Sequence, residues 1–95
     1  MKVVVARAAA RDLARLREFL AGKIPAAARR AVVGIARAID SLAAHPDRGR
    51  PSEIEGMREL VVPFGHSAYV VRYAHDAQRQ EIVIMRLWHG REARK

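Results

Sequence analysis

Residues 57 to 88 place the tightest constraint on the fold. They hold three runs of strand character, "MRELVV" at 57–62, "SAYVVRY" at 67–73 and "QEIVIMRLW" at 80–88, separated only by "PFGH" and "AHDAQR". Connections this short leave no room for a crossover helix, so consecutive strands must run antiparallel. A sheet of that kind needs one apolar face covered, and the cover has to come from the chain that precedes it.

The first half supplies it. "KVVV", residues 2 to 5, reads as a short β-branched strand. From about Ala8 to Ala21, Leu13, Leu16 and Leu20 recur at helical spacing, and Gly22 closes that helix. Pro25 suits the first position of a second helix, along which Val32, Ile35, Ile39 and Leu42 form an apolar stripe ended by "HP" at 45–46. The two helices make a hairpin with a loop of about four residues. "HPDRGRPSEIEG", residues 45 to 56, is turn chemistry. The expectation is one α+β domain over residues 1–95, ordered β-α-α-β-β-β, an antiparallel sheet with the two-helix hairpin packed on one face.

Strand alternation then assigns faces. On the last strand Arg86 shares a side with Ile82, Ile84 and Trp88, while Val83, Met85 and Leu87 share the other. A guanidinium is costly to bury, so the wholly apolar set is expected to face the helices. By the same logic Tyr69, Val71 and Tyr73 face inward, and Arg72 points away with Val70. Arg58 and Glu59 leave the strand at 57–62 ambiguous. If Arg58 lies outward, the open face presents Arg58, Arg72 and Arg86 together.

Charge narrows the class of partner. The net charge is +8, and residues 1–44 hold nine Lys or Arg against three acids, while residues 45–95 hold nine against seven. The helical half is the basic half. Such an excess draws an anionic partner, nucleic acid or acidic polypeptide, although it also serves solubility. With no cysteine, disulfides and thiolate metal sites are excluded, which fits a reducing cytosol. Arg7 and Arg11 interrupt any signal-like apolar run, so a cytoplasmic location is expected. His45, His66 and His75 lack metal-ligand spacing, and "GRP" at 49–51 lacks the glycines and Lys-Ser/Thr of a phosphate loop. No metal and no cofactor are expected.

The order of these elements, with "LAAHPDRGRP", "GMRELVV", "AYVVRY" and "IVIMRLWHGREAR", resembles the RelE/ParE superfamily of toxins from type II toxin–antitoxin modules over nearly the whole chain. The resemblance implies a compact toxin neutralised by a cognate acidic antitoxin, and one of two targets. One branch cleaves mRNA in the ribosomal A site, which calls for a proton acceptor, cations for the developing charge and a donor for the leaving oxygen. The comparable groups here are Arg58, Arg86, His89 and Arg91. The other branch, ParE-like, poisons DNA gyrase. RelE-like nucleases commonly carry an Arg directly after the Tyr of the middle strand, where this chain has Val70 after Tyr69, and "YVVRY" is more similar to the ParE branch.

Three readings of the terminal "RLWHGREARK" therefore stand. Trp88 caps the core edge, His89 and Gly90 turn, and Arg91, Arg94 and Lys95 form a solvated tail; or the cluster contacts a target; or it is a nuclease site. The leading expectation is a ParE-like toxin without a catalytic centre of its own, binding gyrase through Arg58, Arg72, Arg86, Trp88, His89 and Arg91. Its antitoxin would contact Arg11, Arg15, Arg29, Arg30 and Arg37. The alternative is a ribosome-dependent mRNA endonuclease. A third class is a non-toxic basic nucleic-acid-binding or adaptor domain.

Overall fold

Two amphipathic helices lie against one face of a five-stranded sheet in the computed structural model, which describes residues 1–22 and 24–91. The elements are β1 (Lys2–Val5), α1 (Arg7–Ala21), α2 (Pro25–Ser41), β2 (Arg50–Pro51), β3 (Met57–Phe64), β4 (Ser67–Asp76) and β5 (Glu81–His89). Arg94 and Lys95, the end of the expected tail, lie outside the described residues. The helix boundaries follow local chemistry. Ile24, forced off helical geometry by the proline after it, is extended at φ −134°, and Pro25 opens α2.

The sheet order is β1-β5-β4-β3-β2. β2 to β5 pair antiparallel, as the short connections require. β1 lies parallel to β5, with Lys2 opposite Glu81 and Val5 opposite Ile84, so the sheet is mixed. Phe64 and Ser67 flank a two-residue hairpin loop in which Gly65 takes a φ of 59°, a conformation glycine adopts without cost.

Leu16 and Ile35 from the helices and Leu42, just past α2, pack with Leu60, Val62, Tyr69, Val71 and Tyr73 from the sheet. The inward residues of β5, however, are Ile82, Ile84 and Leu87, while Val83 and Met85 are only half-buried. This corrects the expected set of Val83, Met85 and Leu87. The cause is a β-bulge: Arg72 pairs with Arg86 and Tyr73 with Ile84, which leaves Met85 as an extra residue and reverses the phase of the strand.

The Tyr73 phenol ties the "HPDRGRP" segment to the sheet at two points. The Tyr73 hydroxyl donates to the Pro46 carbonyl at 2.6 Å and accepts from the Gly49 N–H at 2.9 Å. A Cβ on Gly49 would sit 2.7 Å from the Tyr73 ring and 2.9 Å from the Glu59 carbonyl oxygen, so this position has room for glycine only.

Candidate functional site

The residues marked as cationic site groups separate into four environments. Arg58 shares its face with Leu60 and Val62, on the helix side rather than the open side, because it pairs with Tyr73 in the register. Its Nη1 donates to the Gly49 carbonyl at 2.6 Å and its Nε lies 3.7 Å from Asp47. Arg72 does point to the opposite face, but it is 4% exposed. Its guanidinium lies 3.1 Å from Glu59 Oε2 and 4.9 Å from the centroid of the buried Trp88 ring, and Arg50 approaches the other Glu59 oxygen at 3.6 Å. Two cations around one carboxylate compensate its burial.

Arg86 is tied to α1. Its Nε and Nη2 donate to the two carboxylate oxygens of Asp12 at 2.7 and 3.0 Å, a bidentate pair, and the Leu87 N–H donates to the same carboxylate at 3.0 Å. Asp12 is 5% exposed. It stands where β1 has ended, at the open edge of β5, and a carboxylate takes the place of the missing strand. Burial alone would raise the Asp12 pKa, but the hydrogen bonds from Arg86 and Leu87 and the charges of Arg86 and Arg15 outweigh it and hold the carboxyl below its usual value. The Asp12 hydrogen bond in turn raises the pKa of Arg86. The expected open face carrying Arg58, Arg72 and Arg86 together is therefore not formed, since one guanidinium faces the helices, one is buried and one is drawn to α1.

His89 and Arg91 remain, at the other end of the sheet. The register places His89 beside Tyr69 and Tyr69 beside Val62, four residues along β3 from Arg58. At about 3.3 Å per residue and about 4.8 Å per strand, Arg58 and His89 stand roughly 16 Å apart. His89 lines an open groove of about 660 Å³ between the C-terminal half of α1 and the β3–β4 hairpin. Arg15, Phe19 and Leu20 form the helix wall, Phe64, Ser67 and Tyr69 the hairpin wall, and His89 and Arg91 the end. The Tyr69 ring stands edge-on to His89 at 5.3 Å and tilted to Phe64 at 5.6 Å. The Arg91 N–H donates to His89 Nδ1 at 3.1 Å, which leaves Nε2 as the protonated nitrogen of the neutral imidazole.

The groove joins apolar walls to a cationic rim, and no acidic side chain lines it among the described residues. Phe19, 59% exposed, is its most conspicuous part. Sequence reasoning missed it, although the signal was present: Phe19 falls beside the Leu13-Leu16-Leu20 stripe of α1 rather than on it. Asp12 was missed as well: it lies one turn before Leu16 on the buried side of α1, where an acid adds nothing to an apolar stripe. Of the arginines assigned to an antitoxin, Arg11 and Arg15 on α1 and Arg29, Arg30 and Arg37 on α2 are all exposed, and Arg15 lies at the groove. Among the described residues no three His, Cys, Asp or Glu side chains converge as metal ligands, and no helix is long and apolar enough to cross a membrane.

Comparison with known proteins gives a consistent answer. Residues 3–94 match a family described as the ParE toxin of the type II toxin–antitoxin system parDE. Toxin RelE1 of Caulobacter vibrioides is 41% identical over 92 residues, covering 97% of this chain and 96% of that protein. Toxin RelE3 of the same organism is 41% identical over 86 residues, covering 90% of each. A solved structure titled "Chromosomal ParDE TA system from P. aeruginosa" superimposes with a TM-score of 0.75 at 27% identity, covering 94% of this chain and 95% of that one. With its β-α-α-β-β-β core and this match across nearly its whole length, the chain belongs to the ParE toxin family of type II toxin–antitoxin systems, within the RelE/ParE superfamily.

Proposed function

We propose that this toxin arrests growth by binding DNA gyrase, that it does so without a catalytic centre of its own, and that a cognate acidic antitoxin neutralises it in the cytoplasm. The observation that carries the reading is the dispersal of the cations. RNA cleavage would need several of them around one phosphate together with an acid and a base. Here Arg58 and Arg86 are held by Gly49, Asp47 and Asp12, and Arg58 stands roughly 16 Å from His89 along the sheet. What the groove offers is a recognition surface, in which aromatic area provides anchoring and Arg15 and Arg91 provide charge.

A second reading rests on the relatives named RelE and on the groove itself. There a ribosome-dependent endonuclease would place the scissile phosphate in the groove, beside His89 and Arg91. Inducing the chain alone in a bacterium and following thymidine and methionine incorporation through the first minutes separates the two. Gyrase poisoning predicts that DNA synthesis fails first, with a damage response. Translation failing first would replace the first reading with the second.

A further inference from the structure

Gly34 stands in the middle of α2, where glycine is a poor helix residue. Packing inside the molecule does not call for it, since a Cβ built there would meet no atom within 4 Å. What remains is close approach from outside. The surroundings say by what. Arg30, Gly34, Arg37 and Ser41 follow one another at spacings of four, three and four, so they share one face of the helix. Arg48 continues the stripe, its Nη1 donating to the Ser41 hydroxyl. Beside it runs a shallow cleft of about 260 Å³, with Gly34, Arg37 and Arg48 on the helix side and Val61 and Pro63 of β3 on the other. Among the described residues no acid lines this cleft, and neither Arg30 nor Arg37 pairs with a carboxylate. Asp40, the one acid of α2, lies roughly 120° round the helix from Gly34.

We propose that this face of α2 seats the phosphate backbone of duplex DNA, with Arg30, Arg37 and Arg48 on the phosphates and Gly34 letting the strand come close. The choice of DNA rests on the gyrase reading given above, since gyrase works on a bound duplex. Arginine suits the contact, because its planar fork donates two hydrogen bonds to one phosphate. From Arg30 to Ser41 the stripe runs about 16 Å, and a duplex strand carries a charge every ~3.4 Å of its axis, so about five phosphates pass along it. A polypeptide is a poorer occupant. The aromatic anchors that would hold one line the groove on α1, whereas Val61 and Pro63 are the only exposed apolar side chains of the cleft. A second copy would bring another +8 chain against the same arginines.

The test titrates the full chain into a fluorescent DNA duplex of about 20 base pairs and follows anisotropy across a range of salt. Arg30→Gln with Arg37→Gln is expected to weaken binding at least tenfold and to reduce the slope of log affinity against log salt by about two. Gly34→Leu keeps every charge and favours the helix, so it is expected to melt no lower than the parent yet to bind at least fivefold more weakly. Arg29→Gln, on the opposite flank of the exposed face, is expected to cost less than twofold. Gly34→Leu binding like the parent would overturn the proposal, because charge alone would then account for the affinity. Should that variant fail to fold, the double variant decides, and a loss below twofold overturns it. Tighter binding of an RNA duplex of the same sequence would also overturn it and favour the ribosomal reading. If Gly34→Leu instead releases a co-expressed antitoxin, or abolishes self-association, while still binding DNA, the cleft belongs to that polypeptide and the proposal falls. The gyrase reading is tested apart, by the cleaved DNA trapped when the chain is added to gyrase and plasmid. Equal trapping by the parent and the stripe variants leaves that reading standing and overturns the docking. Stripe-dependent duplex binding without any trapping supports the docking and removes the gyrase reading.

Discussion

The buried Asp12 carboxylate ties α1 to β5. One carboxylate accepts two hydrogen bonds from Arg86 and one from the Leu87 N–H, with Arg15 at 3.7 Å. Because its folded-state pKa lies below the ordinary 3.8, the stabilisation is fully present above that value and is lost as the pH falls through the lower folded-state value. Asp12→Asn is expected to cost about 2 kcal/mol at neutral pH, since one charge-assisted pair becomes a neutral amide contact. The gap between parent and variant should narrow below about pH 3.8, which urea unfolding at pH 7 and pH 3 would measure. A gap of equal size at both values would mean that packing, not the carboxylate charge, sets the cost.

Among the elements, β5 is the one whose local irregularity decides the surface. Met85 is the extra residue of its bulge, and Ile84 and Leu87 sit inward on either side of it. Deleting Met85 is expected to leave Ile82, Ile84 and Leu87 in the core, because removal of one residue restores plain alternation, while Arg86 swings off α1 and loses Asp12. The expected cost is about 1–3 kcal/mol, read by thermal melting, with loss of the Arg86 pair read from its guanidinium protons by NMR. The sequence made the elements legible because they rest on periodicity and punctuation: Leu13, Leu16 and Leu20 mark α1, Pro25 starts α2, and short turns impose antiparallel neighbours. It hid the bulge, since an apolar run such as "IVIM" is compatible with either phase. The candidate site was less legible still. His89 and Arg91 were identifiable as a terminal cluster, but the Phe19, Phe64 and Tyr69 walls come from three separate elements that only the tertiary fold brings together.

Across the whole molecule, the excess of positive charge sits mainly on the helical hairpin, where Arg11, Arg29, Arg30 and Arg37 are exposed, whereas Arg58, Arg72 and Arg86 of the sheet are engaged internally. Capture of an acidic antitoxin should therefore be steered by the helical side. Its association rate is expected to fall about tenfold between 0.05 M and 0.5 M salt with little change in dissociation, measurable by stopped-flow. The parallel pairing of β1 with β5 has a separate consequence, in time rather than in space. Residues 2 to 5 are made 79 residues ahead of their partners at 81 to 84. The sheet cannot close until that later segment has left the ribosome, so the nascent chain holds an open β1 and an unfinished core throughout that interval. An antitoxin present during translation meets the toxin before it is armed.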